Sequence, residues 1–189
     1  MRSILICAAL VETFISPAFA HTGSGQTASF VSGIEHPFSG TDHIVAMVAV
    51  GLWAVLSGGR AIWIWPAVFP GTMLAGFAAA NLGLPIPFVE PAIASSVVVL
   101  GLLVALAVQA PMGFGAVIVG LIAFFHGHAH GSEVAGSLIP YAAGFALATA
   151  TLHVAGIGLG YFARGSAGKV ALRALGGLAA LGGIALLAG

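Results

Sequence analysis

The chain has 189 residues, with five basic and five acidic side chains, 5% charged in all and 60% hydrophobic. A soluble domain carries about 25% charged residues, so this composition and a mean hydropathy of +1.14 exclude a soluble globular fold and make lipid the solvent. A net charge of zero leaves no basic face for phosphate and excludes nucleic acid as a partner, while seven histidines outnumber either sign of charge.

Residues 1–20 read as a secretory signal peptide. Arg2 supplies the positive start, Ser3 to Ile15 is mostly apolar, and Ala18-Phe19-Ala20 is a small-x-small cleavage site. Glu12 within the apolar stretch is the feature that would suit an uncleaved signal anchor; either way His21 begins on the outer side. Cys7 is the only cysteine and lies in this segment, so the mature chain offers no disulfide and no thiolate ligand.

Residues 21–189 divide into about six apolar stretches of spanning or near-spanning length, near 33–57, 61–81, 91–109, 112–130, 137–163 and 168–188. Short connections with helix breakers separate them: Ser57-Gly58-Gly59, Gly83-Leu84-Pro85-Ile86-Pro87, Ala110-Pro111 and Gly165-Ser166. The expected fold is all-α: an integral membrane protein whose single domain is a bundle of six transmembrane helices, sequence neighbours running antiparallel. Pro66 and Pro70 should kink the second helix or delay its start. Gly156 and Gly160 form a GxxxG pair, and Gly176, Gly177, Gly182 and Gly183 recur in the last span, a pattern of close helix packing.

Basic residues near the ends of spans favour the cytoplasmic side. With the mature N-terminus outside, the loops after the first and fifth spans lie inside and carry Arg60, Arg164, Lys169 and Arg173. Glu35, Asp42, Glu90 and Glu133 then fall at the outer face. The signal sequence and the charge distribution are separate arguments for the same orientation.

The outer half also holds the two richest segments. His36-Pro37-Phe38-Ser39-Gly40-Thr41-Asp42-His43 opens the first span, and His126-Gly127-His128-Ala129-His130-Gly131-Ser132-Glu133 closes the fourth. On a continuous helix His36 and His43 share a face, as do His126, His130 and Glu133. His153 lies deeper, about halfway along the fifth span. Imidazole with carboxylate and without thiolate suits nickel, cobalt or zinc; calcium and magnesium would want oxygen ligands. Polar groups at membrane depth are expensive, which favours a functional reading.

Plainer readings stand beside the metal-binding one. His153 could hydrogen-bond a neighbouring helix, Asp42 and Pro37 could serve only to start a helix, and the His126 to His130 run could be an interfacial polar loop. His128 points away from His126 and His130 if the segment is helical. Asp42 either binds metal directly or orients an imidazole. Glu90, between Val89 and Pro91, marks an outer loop, and Glu35 is either a solvated neighbour of His36 or part of its site.

The motif His36-Pro37-x-x-Gly40-x-Asp42-His43, its continuation through Ile44 to Ala54, and the later His126-Gly127-His128-Ala129-His130-Gly131 resemble the HupE/UreJ hydrogenase and urease accessory proteins, over essentially the whole chain. The first motif is also similar in kind to the histidine and Asp-His motif of nickel/cobalt permeases, with one extra intervening residue. The resemblance implies a bacterial inner-membrane nickel permease serving hydrogenase or urease. It also implies metal positions at His36, Asp42 and His43, with His126, His128 and His130 as a second group. Glu133 and His153 join them on the reading of the residues above.

On that basis a divalent ion, nickel or else cobalt or zinc, is the transported substrate, and no permanent cofactor is expected. The ion would shed water onto an outer site between the first and fourth spans and pass inward towards His153. Imidazoles must be neutral to coordinate, so uptake should weaken as pH falls through about 6 to 7. Gly165-Ser166-Ala167-Gly168-Lys169-Val170 resembles a phosphate loop only weakly, lacking its first glycine and final Ser/Thr, so transport is expected to be secondary or facilitated. Two other classes use the same ligands: an intramembrane metalloenzyme, although HExxH is absent and a single aspartate excludes an Asp dyad, and a non-transporting metal-binding subunit or sensor. The expected partners are the metal ion and the lipid bilayer, and a homo-oligomer is compatible with the sequence.

Overall fold

The computed structural model describes residues 26–131, 133–134 and 136–188; the expected signal peptide and His21 lie outside them. The described residues form seven helices and no strand: α1 (Gln26–Ser39), α2 (Thr41–Ser57), α3 (Ala61–Asn81), α4 (Val89–Ala105), α5 (Met112–Gly131), α6 (Leu138–Phe162) and α7 (Ser166–Ala188). Four of these, α3, α5, α6 and α7, are each long and apolar enough to cross a membrane. Several such helices in one chain make it a multi-pass membrane protein.

The expected first span, 33–57, is not one helix. It breaks at Gly40 into α1 and α2, bent by 84°, and only the two together are long and apolar enough to cross. The third expected span, 91–109, ends early. α4 has 17 residues, about 26 Å at 1.5 Å per residue, which is short of a hydrocarbon core of about 30 Å. Pro66 and Pro70 do not delay α3, which begins at Ala61 and runs through both.

The closest helix pairs are not sequence neighbours. α3 and α5 run parallel, with Gly115 beneath the Trp65 ring, Gly76 against Phe124 and Gly127 against Met73. α4 and α7 run antiparallel, Gly101 meeting Gly176 and Ala180, and Gly183 meeting Val98. α1 and α2 both lie along α6: Gly33 touches Tyr141, and Gly156 touches Val48. In lipid, helices associate through such backbone approach and dispersion. Of the four recurring glycines in the last helix, Gly176 and Gly183 face α4, whereas Gly177 and Gly182 face open space.

The outward faces are apolar, as lipid requires: Val117 and Leu121 on α5, and Leu178 and Leu181 on α7, are all exposed. The interior is built on two stripes with a spacing of four residues. Trp65, Phe69, Met73 and Phe77 on α3, and Tyr141, Phe145, Thr149 and His153 on α6, are all buried. They face each other in antiparallel register. The Phe77 and Tyr141 rings are 6.1 Å apart and those of Phe69 and His153 are 4.9 Å apart, with Met73 and Thr149 between. At one end the indoles of Trp53 and Trp65 lie 4.2 Å apart. Their N–H groups donate to Val108 O (2.8 Å) and Met112 O (2.9 Å), tying the connection between α4 and α5 beneath the core. Arg173 closes the same end, its Nε donating to Ala105 O at 2.7 Å.

Candidate metal centre

The histidines gather at the opposite end of the bundle, and the break at Gly40 is what brings them together. Gly40 has an ordinary extended backbone, φ −106 and ψ 123, so its role is space. A Cβ there would lie 2.7 Å from Asp42 Oδ1 and 2.8 Å from His43 Nδ1. Before the break, Ser39 Oγ donates to His36 O at 2.6 Å and closes α1. His36 therefore approaches from α1 and His43 from α2. They converge on His130 of α5, with ring centroids 4.6 Å and 4.4 Å from it respectively. The single shared helical face expected for His36 and His43 is replaced by two helices meeting at an angle.

Glu133 completes the outer part of this cluster. Its Oε2 lies 3.1 Å from His36 Nε2 and 3.5 Å from His130 Nδ1. His36, His130 and Glu133 each offer one ligand atom, all within 4.8 Å of one another. Two ligands on opposite sides of one ion, each bonded at 2.0–2.1 Å, are separated by about 4.2 Å, so a contraction of a few tenths of an ångström would close this trio around a cation. The Glu133 side chain is 54% exposed and that of His130 4%, so the trio reaches from solvent into the protein.

A second carboxylate stands behind His43. Asp42 Oδ1 is 2.9 Å from His43 Nδ1, close but out of line for a hydrogen bond. This negative charge favours the proton on Nδ1 and leaves Nε2 as the lone-pair nitrogen. Deeper in, the His126 ring is 5.1 Å from His43. His126 Nδ1 donates to Ile122 O at 2.9 Å, so its Nε2, which has no partner, carries the lone pair. Asp42 and Glu133 with these four imidazoles therefore form one cluster, a set with negative charge and borderline nitrogen donors suited to a divalent transition metal.

A cavity of about 250 Å³ runs through the cluster, lined by His36, Ser39, Gly40, His43, Glu90, Ile93, Ala129, His130 and Glu133. Glu90, which the sequence places only as an outer-loop marker, sits in the first turn of α4 and faces this cavity. An acid at a helix start on the same side as the histidine motifs is the signal that could have found it.

A family model described as HupE / UreJ protein matches residues 8–186. The chain belongs to the HupE/UreJ family. It is 48% identical over 176 residues to Protein HupE of Rhizobium leguminosarum bv. viciae, covering 92% of each chain. No solved structure matches it significantly. The HupE/UreJ proteins are hydrogenase and urease accessory proteins, and the two motifs that carry the resemblance are the segments that meet in this cavity.

Among the candidate ligands of this HupE/UreJ chain, the structure brings together His36, His43, His126, His130 and Glu133, with Asp42 behind His43. It does not bring in His128. That side chain leaves the opposite side of α5, and its Nε2 lies 2.8 Å from Leu84 O in the connection between α3 and α4. His153 is also apart. The Phe69 ring lies between it and the cluster, 4.9 Å from His153 and 5.8 Å from His126. Nothing in the sequence marks Phe69, because an aromatic residue in an apolar span carries no signal of its own.

Proposed function

We propose that this chain is a membrane permease for nickel, admitting the ion from the periplasm to the cytoplasm to supply a hydrogenase or urease. The observation that carries the reading is the convergence of His36, His43 and His130 with Glu133 in one solvent-connected cavity. A hydrated divalent ion meets Glu133 and His36 first and exchanges water for imidazole and carboxylate. His43 and His126 then offer the next lone pairs inward. The polar distribution supports the orientation. Arg60 and Arg164 follow the ends of α2 and α6, and Lys169 and Arg173 lie in the first two turns or so of α7, while Asp42, Glu90 and Glu133 gather at the histidine end. By the preference of basic residues for the cytoplasmic side, this distribution supports an orientation with the cluster outside and the basic residues in the cytoplasm of a bacterial inner membrane.

The closely packed, mutually tilted Trp53 and Trp65 rings close the core at the basic end. Passage therefore requires helix movement, and the ion moves down its gradient or with a coupled ion. Nickel fits the donor set, and cobalt and zinc are the competitors to exclude. Nickel accumulation by cells expressing the chain tests the reading: His43→Ala and Asp42→Ala should abolish accumulation with the protein still in the membrane, and unchanged accumulation would refute the site.

A further inference from the structure

Thr149 is fully buried in the middle of α6, yet its hydroxyl does not turn back to the preceding helical turn. Thr72 donates to Val68 O at 2.8 Å and Thr151 to Leu147 O at 2.9 Å, the common recourse of a hydroxyl in a helix. Thr149 Oγ1 instead donates across to Met73 Sδ on α3, 3.8 Å away, a weak acceptor. The hydroxyl oxygen and the thioether sulfur are thus held together in the core.

One turn further from the outer cluster on the same two helices, about 6 Å along the axis, lies His153. It is 1% exposed, and neither ring nitrogen has a hydrogen-bond partner. A neutral imidazole carries one donor and one acceptor, and a buried structural histidine ordinarily spends at least one of them, as His126 does on Ile122 O. Leaving both unmet is costly in a protein interior and more so in a membrane. The register that faces Phe69 with His153 and Met73 with Thr149 aligns these groups along one interior seam.

We propose that Met73, Thr149 and His153 form a second, inner metal station for a borderline divalent cation, distinct from the carboxylate-bearing outer cluster, with Phe69 standing between its His153 and that cluster. The thioether sulfur and an imidazole nitrogen bind the ion, and the Thr149 hydroxyl holds one of its remaining waters. All three groups are uncharged. The station is therefore weaker than the outer cluster, which suits a site that must release its ion onward. Sulfur and imidazole also discriminate against magnesium and calcium, which want oxygen. The inference rests on the permease reading and adds to it a selectivity step inside the bundle.

The test uses the purified full chain and nickel(II), with stoichiometry from equilibrium dialysis and ligand type from X-ray absorption. Two equivalents are expected, the weaker one with a sulfur scatterer. Met73→Leu should remove the sulfur signal and weaken the second equivalent by about tenfold or more, with the tighter equivalent unchanged. Thr149→Val, which keeps shape and loses the hydroxyl, should weaken the same equivalent and provides the answer if the leucine variant does not fold. Saturation at one equivalent, a second equivalent without sulfur, or one indifferent to both substitutions would overturn the inner station and leave the outer site standing. Loss of the tighter equivalent in His130→Ala tests the outer site separately.

Discussion

The ring of His43 on α2 lies 4.4 Å from the ring of His130 on α5, joining the two motif segments into one site. His130 is the shared member, since His36 and Glu133 reach it as well. Its removal should therefore cost more than that of any peripheral partner. His130→Ala is expected to weaken nickel binding by more than about 100-fold, beyond the loss of an outer hydrogen-bonding partner, as measured by equilibrium dialysis on the purified protein. A loss of less than about tenfold would show that His130 is not a ligand.

Gly40 offers a way to disturb the site without touching a ligand. The backbone there suits any residue, but an added methyl would crowd Asp42 Oδ1 and His43 Nδ1. Gly40→Ala should leave the protein in the membrane, with thermal unfolding within about 1 kcal/mol of the parent, and should reduce nickel accumulation severely. Normal accumulation would mean that the Asp42–His43 arrangement does not set ligand geometry.

His128 should behave as a strut. Its Nε2 meets Leu84 O at 2.8 Å, in the connection that leads to Glu90. His128→Gln keeps a donor within reach of that carbonyl and should retain nickel affinity. His128→Leu should loosen the connection and lower affinity by about tenfold or less. Equal, large losses in both variants would assign His128 as a ligand instead.

The seam between α3 and α5 makes a sharp stability prediction. A Cβ on Gly127 would overlap the Met73 backbone, whereas one on Gly120 would make ordinary contacts at 3.5–3.8 Å with Thr72 and Val68 side chains. Gly127→Ala should lower stability by about 1–3 kcal/mol. Gly120→Ala should be neutral or gain up to about 1 kcal/mol from helix propensity. Thermal unfolding in detergent compares the two, and equal effects would contradict the close α3–α5 approach.

The helical membrane character was legible because apolar runs, breakers and charge placement are local properties. The His36 and His126 segments were legible because histidine is costly in lipid. What the sequence could not convey is which helices pair. The tight contacts join α3 to α5, α4 to α7, and both α1 and α2 to α6, and backbone approach at glycine leaves little trace distinguishing one partner from another. The break at Gly40 was hidden by the apolar continuity of 33–57 and by the seven-residue spacing of His36 and His43, which mimics one helical face. Glu90 entered the cavity through the packing of α4, and Thr149 acquired meaning only once Met73 was found opposite it.

The central claim is that this cluster admits nickel across the membrane through this chain alone. Nickel flux into proteoliposomes containing only the purified protein, with cobalt and zinc as competitors, tests it most directly. Saturable nickel entry that His43→Ala and His130→Ala abolish is the expected result. Tight nickel binding with no flux above empty liposomes would contradict it and assign the chain as a metal-binding membrane subunit.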